Sequence, residues 1–249
     1  PLYSSAASDV YKRQRYDRLY ATGEDIGFRA ALLLKLFGWR GKMVCLVHNM
    51  SRSRTFLLRL IGHEIFCSFV VVSESQISPI SECGVPKSKI VHVFNWVDDK
   101  FFSPTGDTND GADRITFVAC GAENRDYETL RAAARLAPGT TYVFGHGFFG
   151  PTTITSHEGE QTFVPMPRVS FDELRRYYQS ATAIVVPLNA VRYAAGVTGL
   201  VEAMSMGRPV IVTRSPGIEE YCAGVDKNLL VPPRDHVQMS NACLLYTSD

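Results

Sequence analysis

The sequence predicts an α/β protein of two Rossmann-like, parallel-sheet domains, the first of them incomplete. Short apolar runs that read as buried strands alternate with amphipathic helical stretches along the chain. A stretch rich in Gly, Pro, Asp and Asn over 102–113 interrupts the alternation, which then restarts.

Taken in order, 42–47 is an apolar run after Gly41 and reads as a buried strand ending at His48-Asn49. Over 55–66, Phe56, Leu57, Leu60, Ile61 and Ile65 recur at helical spacing. A second buried strand is expected at 68–72, a short helix at 75–83 stopped by Gly84 and Pro86, and a third strand at 89–94. Three strands with two intervening helices make half of a Rossmann-like sheet. Beyond the break, strands are expected at 115–119, 140–144, 183–186, 209–212 and 229–231. Helices are expected at 126–136, 171–180 and 197–206, with a single turn at 218–222. The domain boundaries that follow are 15–104 for the first domain, 105–113 for the linker and 114–242 for the second. Residues 1–14 and 243–249 are set aside as non-native tails, because Ser5 to Gln14 and Cys243 to Asp249 resemble translated adaptor read-through. The chain is therefore expected to be a fragment.

Composition narrows the class. The chain has 249 residues, 45% hydrophobic and 20% charged, and a net charge of +1, so no overall electrostatic pull toward nucleic acid exists. The six cysteines form no C-x-x-C pair, which fits reduced thiols in a cytoplasmic protein. The most apolar stretch, 56–73, is broken by Arg59, His63 and Glu64, so no membrane span is expected. Basic residues outnumber acidic ones over 15–104, which fits a peripheral contact with the inner membrane face.

The chemistry concentrates where small residues lead into a helix at Ala194-Ala-Gly-Val-Thr-Gly. Backbone N–H groups of Gly196, Val197 and Thr198 point out of a helix N-terminus, a ready anion site suited to a diphosphate. Glu202 follows about one turn in, where a carboxylate accepts hydrogen bonds from vicinal ribose hydroxyls. His48 stands at the carboxyl end of a strand, where open α/β sheets place ligands. Arg52 and Arg54 beyond it are placed to meet an anionic acceptor or lipid phosphate. Gly145-His-Gly-Phe-Phe-Gly150 satisfies G-x-G-x-x-G, but the polar, β-prone run after it argues against the helix an NAD site needs.

The run Gly199-Leu-Val-Glu-Ala-Met-Ser-Met-Gly-Arg-Pro-Val-Ile211 resembles the donor-binding signature of retaining family 4 (group 1) glycosyltransferases, two-domain enzymes of the GT-B type. Three further stretches match in the same order. They are Val72 to Ser75 with Gly84 to Pro104, then Gly121-Ala-Glu-Asn-Arg-Asp-Tyr-Glu-Thr-Leu130, and Gly217 to Glu220 with Leu230 to Asp235. The resemblance implies transfer of a hexose from a nucleoside diphosphate sugar to a glycan, lipid-linked or small-molecule acceptor, with retention, no cofactor and no metal. Asp98-Asp99 lacks the D-x-D form of metal-dependent transferases. It also implies that Arg125 and Gly196 to Thr198 hold the diphosphate, that Glu202 holds the ribose in the same cleft, and that His48 is the catalytic-site residue on the acceptor side. Two positions depart from the pattern: Ala122 stands where a second basic residue is usual, and Ala194 where a second glutamate is usual. These departures keep a non-catalytic nucleotide-binding remnant open as the alternative, and an NAD-dependent oxidoreductase behind it. A fragment lacking the opening strands is expected to be inactive by itself.

Overall fold

The computed structural model describes residues 16–105, 114–147, 150, 151, 154 and 161–247. The expected tail at 1–14 and most of the expected linker lie outside them. The chain divides into two compact units, Pro1–Phe94 and Asn95–Asp249. Among the described residues no helix is long and apolar enough to cross a membrane.

The first unit is a four-stranded, wholly parallel sheet. Its elements run β1 (Arg18–Ala21), α1 (Glu24–Leu36), β2 (Lys42–Val47), α2 (Arg52–Ile61), β3 (Phe66–Val71), α3 (Ile77–Ser81) and β4 (Ile90–His92), in sheet order β1-β2-β3-β4. Met43, Cys45 and Val47 alternate inward along β2 and join Phe28, Phe66 and Phe69 in one core, with the Phe66 and Phe69 ring centroids 4.7 Å apart. The helix expected to reach 66 stops at Ile61, because Gly62 takes φ 74°. Beyond that stop, Lys35 donates to the Ile61 carbonyl, Lys42 to that of Glu64, and Lys89 to those of His63 and Phe66. The helix expected over 75–83 is a 3-10 turn, Glu74–Gln76, followed by the single turn of α3.

The second unit holds β5 (Thr116–Cys120), α4 (Tyr127–Ala134), β6 (Thr140–Phe144), β7 (His146–Gly147), β8 (Gly150–Pro151), β9 (Phe163–Pro165) and α5 (Phe171–Ser180). It continues through β10 (Ala183–Val186), α6 (Val197–Ser205), β11 (Val210–Thr213), β12 (Leu230–Val231) and α7 (His236–Leu244). Six strands form a parallel sheet in the order β12-β11-β10-β5-β6-β9. All four residues of β10 are buried. Ile184 and Val186 enter one core with Leu200 and Val212, whereas Ala183 and Val185 enter a second core with Leu130 and Met239.

Residues 95–104, expected with the first domain, pack on the second unit. Phe102 lies in its core beside Tyr178, the Ser205 hydroxyl donates to the Phe102 carbonyl at 2.6 Å, and the Asn95 N–H donates to the Tyr221 hydroxyl at 2.8 Å. At the other end, Cys243 is 3% exposed within α7, so the expected boundary at 242 falls inside a packed helix. Among the described residues of the G-x-G-x-x-G run, His146–Gly147 and Gly150–Pro151 pair antiparallel as β7 and β8, where an NAD site would need a turn opening a helix.

Candidate functional site

In the six-stranded sheet the chain runs outward from β5 through β6 to β9 and, on the other side, from β10 through β11 to β12. The loops after β5 and β10 therefore leave the carboxyl edge in opposite directions, which is the switch point where open α/β sheets leave a crevice. Backbone pairing joins these two loops. The Asp126 N–H donates to the Pro187 carbonyl at 3.1 Å, the Asn189 N–H donates to the Asn124 carbonyl at 3.1 Å, and Arg125 bridges Leu188.

Arg125 sits in the first loop. Its Nε donates to the Cys120 carbonyl at 3.1 Å and its Nη1 to the Glu123 carbonyl at 2.8 Å, so two backbone acceptors fix the guanidinium at the end of β5. Gly121, at φ 111°, makes room for it: a side chain there would collide with the guanidinium. Opposite stands α6, whose N-cap Gly196 has φ 85° and ψ −10°. The first N–H groups of any α-helix lack intrahelical partners, so those of Val197, Thr198 and Gly199 face outward. A Cβ placed on Gly199 would lie 4.0 Å from Arg125 Nη2, 3.9 Å from the Tyr178 hydroxyl and 3.9 Å from the Cys120 carbonyl, so the helix start, the arginine and the end of β5 form one locus.

Glu202 lies on the same helix and is 8% exposed. Its Oε2 accepts from the Tyr178 hydroxyl at 3.2 Å. Burial pushes its carboxyl up to about 7, against the opposing pull of the Tyr178 hydrogen bond and of Arg125. The structure thus brings Arg125, Gly196 to Thr198 and Glu202 together at one sheet edge. Ala194 is partly buried against the core.

The loop entering α6 is pinned by residues the sequence reading passed over. The Thr213 hydroxyl accepts from the Leu188 N–H at 3.1 Å. Ser215 Oγ accepts from the Val191 N–H at 3.0 Å and donates to its carbonyl at 2.7 Å. Asn95 Nδ2 reaches Thr198 Oγ1 at 3.4 Å. Tyr178, with no exposed surface, was legible only as a core position of its helix. A hydroxyl at the fourth residue after Leu174 on an amphipathic stretch is the single signal that something polar must face it.

His48 belongs to the first unit. It stands at the carboxyl end of β2, with its ring Nε2 3.3 Å from the Thr22 carbonyl and its backbone N–H donating to Glu24 Oε2 at 2.8 Å. Glu24 is 3% exposed and its Oε1 pairs with Arg54 Nη1 at 2.9 Å, while the Gln76 Oε1 accepts the Met50 N–H. Two buried side chains therefore hold the backbone that carries His48. Arg54, expected to meet an anion, is committed to Glu24 and to the Asn49 carbonyl. It also lines a cavity of about 370 Å³ with Asp25, Arg29, Ser51 and Ser53.

Residues 128–249 match the family model described as "Glycosyl transferases group 1". No curated protein sequence matches the chain. Solved structures with a similar fold include Anabaena HepE in complex with UDP and glucose, 15% identical, with a TM-score of 0.77 over 98% of this chain and 71% of that one. Sucrose-phosphate synthase from Thermosynechococcus elongatus is 18% identical, with a TM-score of 0.75 over 99% of this chain and 68% of that one. A UDP-forming α,α-trehalose-phosphate synthase from Burkholderia xenovorans, in complex with glucose-6-phosphate, is 10% identical, with a TM-score of 0.66 over 91% of this chain and 65% of that one. Residues 128–249 thus match the group 1 glycosyl transferase model, and the chain has the GT-B fold of two Rossmann-like, parallel-sheet units.

Proposed function

We propose that the parent protein transfers a hexose from a nucleoside diphosphate sugar to an acceptor hydroxyl, with retention at the anomeric carbon and without a metal ion. The observation that carries this reading is the meeting of Arg125, the α6 N-terminus and the buried Glu202 at the switch point of the six-stranded sheet. As the glycosidic bond breaks, negative charge gathers on the leaving diphosphate. A fixed guanidinium and outward N–H groups stabilise that charge with little reorganisation. Glu202 accepts the ribose hydroxyls, and UDP is the first nucleotide to test because HepE was solved with UDP and glucose. In the first unit, His48 is assigned to the acceptor side, its backbone held by Glu24.

Thermal-shift titration of the chain with UDP, GDP and ADP tests the donor assignment. A nucleotide at about one hundred times its Kd stabilises by roughly 2.7 kcal/mol. A clear rise in Tm with one of the three is expected, and no rise with any of them sinks the reading. Retention is checked on the full-length parent, whose product should keep the anomeric configuration of its donor sugar by NMR.

A further inference from the structure

The Glu202 carboxylate is approached from three elements. Tyr178 comes from α5, Cys120 from the end of β5, and Arg125 from the loop after it. Of these, only Tyr178 donates a hydrogen bond to a Glu202 oxygen from a side chain with no exposed surface. Its ring packs beside Phe102, with centroids 6.2 Å apart, so the hydroxyl is delivered by a part of the core that cannot swing away. The hydroxyl carries one proton and meets two partners, Glu202 Oε2 and the Cys120 thiol. An ionised carboxylate is the stronger acceptor, so the proton goes to Glu202. The thiol, pushed up by burial to about 11, keeps its own proton and can donate to the tyrosine oxygen.

We propose that Tyr178 is a positioning residue for donor binding: its buried hydroxyl fixes the rotamer of Glu202 and holds the carboxylate in the form that accepts the ribose hydroxyls. This rests on the donor-site reading of Glu202. The ribose contact then falls to Oε1, with Oε2 occupied from behind. Removing the hydroxyl leaves Glu202 buried with less support for its charge, so its titration moves further up and nucleotide affinity at neutral pH falls.

Calorimetric titration of the chain with UDP from pH 5.5 to 9 reads this out for the parent sequence, Tyr178→Phe, Tyr177→Phe and Glu202→Gln. Tyr177 is the control because its ring packs on Tyr142 and Phe144. The parent should bind more tightly as pH rises through about 7, where Glu202 ionises. Tyr178→Phe should shift that midpoint upward and weaken binding at pH 7 by about threefold to tenfold, the worth of one hydrogen bond. Tyr177→Phe should match the parent. A carbon-13 titration of the Glu202 carboxyl in the UDP-free chain gives a second reading, expected to move up in Tyr178→Phe. If the Tyr178→Phe curves overlay the parent while Glu202→Gln binds UDP weakly, the positioning role is wrong and the donor site stands. If Glu202→Gln binds as the parent does, the donor-site reading itself fails.

Discussion

Glu202 is buried beside an arginine and a tyrosine, and burial prevails over both, so its carboxyl holds a proton up to about pH 7. In the unfolded chain the same group ionises near 4.5. Between these values the native state binds the extra proton, so stability falls as pH rises from about 4.5 to 7 and is level beyond. Glu202→Gln removes that loss while keeping an oxygen to accept from Tyr178. Its melting temperature should exceed the parent's at pH 8, by an amount equivalent to roughly 3 kcal/mol, with the gap closing toward pH 4.5. A constant gap across pH in melting curves would contradict the buried-acid account. Glu202 was picked out by its place about one turn into a helix that follows small residues, and Arg125 only through the resemblance to the family's pattern. Tyr178 and Glu24 were not legible. A buried tyrosine on an amphipathic helix looks like any core aromatic, and a buried acid in a first helical turn looks like a surface residue favoured by the helix dipole.

At the scale of single elements, the turn into α6 depends on a conformation that L side chains rarely adopt. Gly196 has φ 85°, and a Cβ there would come within 2.9 Å of Leu188 Cδ2 and 3.0 Å of Val186 Cγ1. Gly196→Ala should therefore lose about 1–2 kcal/mol of stability and weaken UDP binding, whereas Gly224→Ala, with nothing within 4 Å of its added methyl, should do neither. Denaturant melts and UDP titrations of the two variants decide the point. β10, apolar throughout, was legible to the residue, since burial on both faces leaves an uninterrupted run. β1, α1, β7, β8, β9 and α7 were missed. In α1, Ile26, Leu33 and Leu36 are exposed while Phe28 and Ala31 are buried, which blurs the helical stripe. β9 is three residues at a sheet edge, too short for a pattern to register. α7 was not expected at all, and the residues after 242 were set aside as foreign, although Cys243 packs in the core.

For the whole molecule, the alternation of strands and helices gave the parallel sheets, but not the strand order or the place where the units part. Phe101 and Phe102 settle the latter: the linker's composition begins at residue 102, while these rings and the Asn95 N–H attach the preceding residues to the second unit. That unit has a core on each face of its own sheet, and Arg125, Gly196 to Thr198, Tyr178 and Glu202 all lie within it. Residues 95–247 expressed alone should unfold cooperatively and bind UDP within about threefold of the whole chain, since a separate core is what lets a domain fold by itself. Loss of UDP binding by a folded 95–247 segment would show that the donor site needs the first unit.

The central place of β10 has a consequence in time. Its amides are bonded between β5 and β11, and its side chains are locked into both cores, so no fraying of an edge or a terminus reaches them. Deuterium from the solvent enters them only when the entire second unit opens, and the slow clock of those four amides therefore measures the unit's global stability.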